Sequence, residues 1–521
     1  MKQIIIAIFI TLVVTSCNDD FIQRSSLTDV AENNFWQSED DAFLALNGVY
    51  SVLQSKQMYG GSLNAIQGIP GFDNLTDNAF DQYKYEGPKY FVEGTLDPTH
   101  DMFPGLWNNS YQGIARVNAV IKNAGEMSSD LITEESKNTI LGQAYFLRAL
   151  LYFNLAVYYE DVPLITEPQT LENAYVPINT YAEITEQIVT DLKEAVDLLP
   201  TSYSSSQEGY ATKGAALGLF ARVQLYNKVY DGDYGVLALT QQLMGLGYSL
   251  DPDYSTLFTQ VGENSPEIVF SVRFLHTQYT ATGESFSGTF TGAPKVDQQP
   301  TKNLAMDFYC TDGLPVTESP LYNPAAASQK LNRDPRATAT LYFKNDIFIT
   351  DLAKAFNGNN YTGYGQKKYL RTLNVDAEGV SASGADGSQD FYVIRYADVL
   401  LMRAEAMAET NDISGATALV DQVRARVSMP GVESVEGKGT TITQDQMIEI
   451  VRHERRVELA LEGLRFMDLK RWGTMEEAYT RVAADAISSY GPAYSAKSLV
   501  FPIPQSEMDV NPQLVQHPAW Q

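Results

Sequence analysis

Arg452-His453-Glu454-Arg455-Arg456-Val457-Glu458-Leu459-Ala460-Leu461-Glu462-Gly463, continuing Arg465-Phe466-Met467-Asp468-Leu469-Lys470-Arg471-Trp472, alternates charges of both signs at helical spacing. Glu449 faces Arg452, and Arg455 faces Glu458, three residues on, so the run predicts a helix whose surface is laced by ion pairs. The rival reading, in which Arg452, Arg455 and Arg456 grip an anionic ligand, ranks below it. Upstream, residues 397–427 read as helix, short turn at Asn411-Asp412, helix. Residues 212–246 follow the same plan around Asp231-Gly232-Asp233, a turn rather than a metal loop. Both segments place small residues (Ala216, Gly218, Ala221; Ala404, Ala406, Ala408) where two helices must approach closely. That is the signature of tetratricopeptide-type pairs, whose repeat is about 34 residues. The fit to the repeat consensus is loose and the pairs are not contiguous, so the scaffold is a divergent helical repeat with long insertions.

Four more helices are expected towards the N-terminus. Ser38 with Asp41 resembles a capping box ahead of an apolar stripe from Ala42 to Leu53. A second runs from Trp107 to about Lys122. A third, from about Thr139 to Tyr159, is apolar nearly all round and is expected to be buried. Thr180 with Glu183 opens the fourth, and Pro200 marks its end. Residues 55–106 and 273–390 are rich in Gly, Asn, Asp, Thr, Ser and Tyr and have no helical period. Segments of that length are functional or disordered, and their aromatic content argues against disorder. Short strands are expected at Glu267–Phe274 and Phe391–Arg395, and an extended tail over 476–521, where the prolines of Leu499-Val500-Phe501-Pro502-Ile503-Pro504 stop any continuing helix.

The N-terminus sets the address. Met1-Lys2-Gln3 precedes an apolar run from Ile4 to Val14, too short to span a membrane and followed by small residues, which reads as a secretory signal over 1–16. Val14-Thr15-Ser16-Cys17 resembles the bacterial lipobox, in which the cysteine is lipidated and becomes the new N-terminus. Cys17 would then anchor the chain by its acyl chains alone. Asn18-Asp19-Asp20 is similar to the surface-export signal of Bacteroidetes lipoproteins. With Cys17 acylated, Cys310 has no disulfide partner, and the protein must rely on its core. A net charge of −27 argues against nucleic acid, which needs clustered Lys and Arg, and against docking on anionic lipid through protein charge.

No catalytic pattern emerges. No two of His100, His276, His453 and His517 lie at metal-ligand spacing, and the zinc-protease, nucleophile-elbow, phosphate-loop and calcium-loop patterns are absent. No cofactor and no metal are expected. A glycosidase needs only two carboxylates, and no motif among the 64 acidic residues marks such a pair.

Several segments resemble the SusD/RagB family of outer-membrane lipoproteins: the opening run; Pro502-Ile503-Pro504-Gln505-Ser506-Glu507 with Asn511-Pro512; Arg395-Tyr396-Ala397-Asp398-Val399-Leu400-Leu401-Met402-Arg403-Ala404-Glu405-Ala406; and Ala144-Tyr145-Phe146-Leu147-Arg148-Ala149 leading to Tyr158. With the lipobox they span almost the whole chain. The resemblance implies a mainly α fold of about four tetratricopeptide-like helix pairs with a loop-rich insertion half and a few short strands. It implies one domain over 17–521, with scaffold at about 30–260 and 391–475 and ligand-binding loops at about 55–106 and 273–390. It also implies a non-catalytic, surface-exposed lipoprotein that binds a glycan, or in a minority a peptide, for a SusC-like TonB-dependent transporter.

A sugar offers a weakly polar C–H face and a rim of hydroxyls. Flat aromatic side chains cover the first, and Asn, Asp, Gln and Arg bond to the second. The candidate ligand-binding residues are therefore Phe72, Asp77, Tyr83, Tyr85 and Tyr90 in the first insertion and Tyr279, Phe286 and Phe290 in the second, with Trp107 bordering them. Phe80, Asn78 and Gln82 interleave with the first cluster, and Tyr361 and Tyr364 form a weaker third. For any one of these the alternative is packing of the insertion against the helices. Three functions compete: a glycan binder with an exposed aromatic platform, a peptide binder with a deeper polar cleft, and a lipid-anchored glycosidase with two facing carboxylates.

Overall fold

The computed structural model describes residues 35–61, 68–83, 87–276, 283–288, 297–325, 329–359, 361–382 and 386–521. The signal segment and Cys17 lie outside them.

Eight helices form four sequential pairs. Helices α1 (Glu39–Leu53) and α2 (Met102–Glu126) pack together, as do α3 (Glu134–Tyr159) and α4 (Tyr181–Leu198), α5 (Lys213–Tyr226) and α6 (Val236–Met244), and α7 (Tyr396–Glu409) and α8 (Ile413–Arg426). Consecutive pairs touch through α2 and α3, α4 and α5, and α6 and α7. Helix α9 (Gln444–Glu458) lies on α7 and α8, and α10 (Arg465–Trp472) and α11 (Met475–Ala484) follow. The fold is the expected helical-repeat scaffold.

Local chemistry explains most helix ends. Thr180 and Glu183 form a full capping box at α4, with Glu183 Oε2 accepting the Thr180 N–H at 2.8 Å. At α1 the box is incomplete. The Ser38 side chain caps the Asp41 N–H, but the Asp41 carboxylate, one methylene shorter than glutamate, accepts from the Ser38 hydroxyl and the Gln37 N–H instead. Helices α2 and α3 begin about five residues before the expected starts. The His100 ring caps Met102 and Thr133 caps Ser136; the first turn of α3 is polar and shows no apolar period, whereas in α2 Met102, Phe103 and Leu106 are buried and Pro104-Gly105 breaks the pattern in the sequence. Helix α3 has the length and composition of a membrane span, yet 89% of its apolar window is buried against the other helices, so it is the core helix.

Strands are β1 (Ala79–Phe80), β2 (Ile268–Val272), β3 (Gln299–Pro300), β4 (Leu341–Tyr342), β5 (Ile347–Ile349), β6 (Lys354–Ala355), β7 (Gly365–Gln366) and β8 (Phe391–Arg395). They pair only as antiparallel two-stranded ribbons: β1 with β3, β2 with β8, β4 with β7 and β5 with β6. The insertions are less irregular than expected. The first holds helical turns at Lys56–Gly60, Ile69–Leu75 and Pro88–Val92, and the second at Lys302–Asp307 and Pro335–Thr340, each too short to print a period. The tail is not extended throughout. It contains α11, with Met475, Ala478, Tyr479 and Val482 buried at helical spacing, and a turn at Gln505–Val510. One core cluster runs from Ala42 to Trp520, and smaller clusters lie under the second insertion.

The opening run departs most from expectation. Glu449 and Arg452 do pair on the surface at 2.9 Å. Arg455, however, turns inward to Asp398 (2.9 Å) and Asp468 (3.2 Å) rather than to Glu458. Glu458 accepts from Arg426 (2.5 Å), Arg395 (2.6 Å) and Arg336 (3.0 Å). The insertions roof this face of α9, so Arg455 and Glu458, expected as a surface pair, belong instead to a sealed lattice. Burial alone would raise Asp398, but Arg222 and Arg455 hold it down at about 2. Arg455 and Arg456 are committed to protein carboxylates, which removes them as free grips for an anionic ligand.

Candidate functional site

The first insertion is nailed to the scaffold by polar side chains. Asp77 is fully buried and accepts from Arg465 (2.8 Å), Arg481 (2.8 Å) and Arg456 (3.1 Å). Burial would raise its carboxyl, but the guanidiniums of Arg456 and Arg465 hold it far below the usual range. Asp73 accepts the Gly463 N–H and the Asn78 side-chain amide, both at 2.7 Å. These contacts fix β1, which pairs with β3, which in turn touches β7. Through Phe80, which follows Ala79 in β1, the first aromatic cluster meets Tyr361 of the third.

The candidates sort into three groups. Phe72, Trp107 and Phe286 are core. Phe72 packs on Tyr158 (4.8 Å between ring centroids) and Phe501, Trp107 on Tyr111 and Tyr159, and Phe286 on Tyr369 and Phe391. Asp77 is the clamp just described. These four are corrected from ligand contacts to packing and anchoring, because Phe72 and Phe286 fill the seam between the insertions and the rest of the core, Trp107 lies on the buried face of α2, and Asp77 is taken up by guanidiniums. Tyr83 and Tyr90 are half-buried and border the surface. Tyr85, Tyr279 and Phe290 lie outside the described residues.

The third cluster is placed better than its sequence signal suggested. Tyr361 is 40% exposed, and its ring rests on buried Phe80 at 5.5 Å. Phe80 is backed in turn by Tyr490 at 4.6 Å and by the Lys89 ammonium. An exposed ring held from below by a second ring is a fixed platform, which a ligand ring can cover at low entropic cost. Tyr364, by contrast, is buried and donates to Gln329.

Two clefts share no lining residue with the Phe80–Tyr361 platform. One, of about 330 Å³, is lined by Arg452, His453, Arg481 and Trp472. The other, of about 550 Å³, is walled by residues 201–212, 246–248 and 263–273, including Tyr203, Tyr210 and Tyr248. These tyrosines fall outside the three aromatic clusters of the insertions. The signal was the stretch Tyr203-Ser204-Ser205-Ser206-Gln207-Glu208-Gly209-Tyr210, two tyrosines on a polar loop directly after a helix-ending proline. At one wall Glu263 accepts the backbone N–H of Asp390 at 2.8 Å. Burial and the neighbouring Asp390 push Glu263 up to about 8, and burial raises Asp390 to about 6. Of the two, Glu263 lines the cleft and Asp390 does not, whereas glycoside cleavage needs a pair flanking the scissile bond. Among the described residues no group of three or more His, Cys, Asp or Glu is placed to hold a metal.

Comparison with known proteins agrees with this architecture. Residues 266–520 match the family described as SusD family, and residues 45–225 match the one described as starch-binding, associating with outer membrane. SusD-like protein P25 of Formosa agariphila is 26% identical over 540 aligned positions, covering 100% of this chain and 98% of the relative. A SusD-like carbohydrate-binding protein of Bacteroides fragilis superposes with a TM-score of 0.75 at 26% identity, covering 92% of this chain and 100% of that one. A laminarin-binding SusD-like protein gives 0.73 at 26% identity, covering 92% and 99%. The two family matches, the SusD-like relatives along the whole chain and the four helix pairs show that the chain belongs to the SusD/RagB family of carbohydrate-binding proteins.

Proposed function

We propose that the protein captures an oligo- or polysaccharide at the surface of the outer membrane and delivers it to a SusC-like TonB-dependent transporter, without cleaving it. The observation that carries this reading is the Tyr361 ring, exposed yet seated on Phe80, with Tyr83 on the same insertion as Phe80. Pyranose faces stack on such rings. Lipid on Cys17 holds the molecule at the membrane, and the acidic chain keeps its body off anionic headgroups. The laminarin and carbohydrate binding named for two structural neighbours supports a glycan over a peptide.

The test uses protein lacking residues 1–17, run by affinity electrophoresis through gels containing laminarin, starch, xylan or mannan. Retardation by at least one polysaccharide, with no reducing ends released on incubation, is expected. Release of reducing sugar would contradict the reading. So would a panel of inert glycans beside tight binding of peptides.

A further inference from the structure

The tyrosine-walled cleft shares no lining residue with the Phe80–Tyr361 platform and is built differently. Its main lobe, about 550 Å³, joins a second of about 230 Å³, and both are lined by Glu208, Tyr210, Phe270 and Arg273. The larger lobe falls within the roughly 300–1,000 Å³ of ordinary ligand pockets. Tyr203, Tyr210 and Tyr248 are half-buried, and each hydroxyl is already engaged: Tyr203 donates to the Ala211 carbonyl (3.0 Å), Tyr210 to Asn47 Oδ1 (2.7 Å), and Tyr248 bonds with Thr212 (3.2 Å). Tyr210 is backed by Tyr50 at 5.4 Å and Phe43 at 6.3 Å. The rings are therefore fixed before any ligand arrives, and what they offer is their faces.

The rim is polar and of both signs. The Arg273 side chain is 42% exposed and lies between Glu208 (3.6 Å) and Asp390 (3.3 Å). Gly209, at φ +97°, makes room for it: a Cβ there would sit 2.6 Å from Arg273 Cδ. Stacking faces ringed by a guanidinium donor, a carboxylate acceptor and the Glu263 carboxyl match the alternation of C–H faces and hydroxyl edges along an oligosaccharide. An apolar peptide segment would leave that rim unsatisfied.

We propose that this groove is a second carbohydrate-binding site, independent of the loop platform, which takes a short oligosaccharide with its ring faces on Tyr210 and Tyr248 and its hydroxyls on Arg273, Glu208 and Glu263. It rests on the reading that the protein binds glycans, and the experiment separates the two. Glu263, raised by burial and by Asp390 to about 8, serves near neutral pH as a hydroxyl donor as well as an acceptor.

Protein lacking residues 1–17 is titrated calorimetrically with laminarihexaose, cellohexaose, xylohexaose and mannohexaose. Tyr83→Ala/Tyr361→Ala protein is expected to keep a binding event. Adding Tyr210→Ala, or Asn264→Arg, which fills the groove mouth without touching the tyrosine framework, is expected to weaken that event about tenfold, the worth of one stacked ring. Tyr210→Phe is expected to preserve it. The second site is overturned if folded Tyr210→Ala and Asn264→Arg proteins both titrate like the parent, or if the loop substitutions alone abolish all binding, in which case glycan capture itself stands. Failure of every hexaose to bind the parent would overturn both readings.

Discussion

Arg395, the last residue of β8, donates to Glu458, the last residue of α9, at 2.6 Å, with both side chains sealed from solvent. The pair joins the ribbon under the second insertion to the helix that roofs the last repeat pair. Glu458 also serves Arg336 and Arg426, and Arg395 also serves Glu267 and Glu462. Removing one member strands several buried charges, which costs more than the pair contributes. Glu458→Ala is expected to lower unfolding stability by about 3–5 kcal/mol in urea titrations, and a loss below about 1 kcal/mol would contradict the lattice.

Gly463 is the backbone counterpart of that lattice. It sits at φ +75° between α9 and α10, its N–H donates to Asp73, and an added Cβ would lie 2.5 Å from the Ile69 carbonyl oxygen. Gly463→Ala is expected to cost about 1–3 kcal/mol from backbone strain alone, and more as the Ile69–Leu75 turn is pushed off the scaffold. Faster proteolysis within residues 61–87 at unchanged helix content is the expected readout.

Raised carboxyls give the stability curve its sign. Folded Glu263 is held at about 8 against an ordinary 4.5, by burial and then by Asp390, and burial holds Asp390 at about 6 against 3.8. Between those values the folded state keeps protons that the unfolded chain has shed, so stability falls as pH rises through that window. The melting temperature is expected to decline from about pH 5 to about pH 8, and the decline to be shallower in Glu263→Gln. A steeper decline in that variant would contradict the assignment.

The scaffold was legible because it rests on local signals. Thr180 with Glu183, the small residues of α5 and α7, and the apolar girth of α3 each write their geometry into a short window. The site was less legible because burial of an aromatic on an insertion depends on partners far along the chain. Phe72 meets Phe501, and Phe286 meets Phe391, across more than a hundred residues. Asp77 resembled a hydroxyl acceptor in sequence, and only its distance in space to Arg456, Arg465 and Arg481 makes it a clamp. The charged run at 449–471 misled for the same reason. Its spacing is helical, but its roof comes from residues 335–395.

Two classes of aromatic substitution should therefore part company. Phe72→Ala, Trp107→Ala and Phe286→Ala remove buried rings and are expected to cost about 3–5 kcal/mol each. Tyr361→Ala, at an exposed ring, is expected to leave the melting temperature within about two degrees and to weaken glycan binding about tenfold. Equal stability losses in both classes would make Tyr361 a packing residue.

The most direct measurement is calorimetric titration of protein lacking residues 1–17 with a polysaccharide selected by gel retardation, followed by chromatography of the recovered ligand. Saturable heat with the glycan returned at its original chain length is the expected result. Shortened chains in the recovered fraction, or no heat with any polysaccharide while peptides bind, would contradict the proposal that this protein is a non-cleaving glycan receptor.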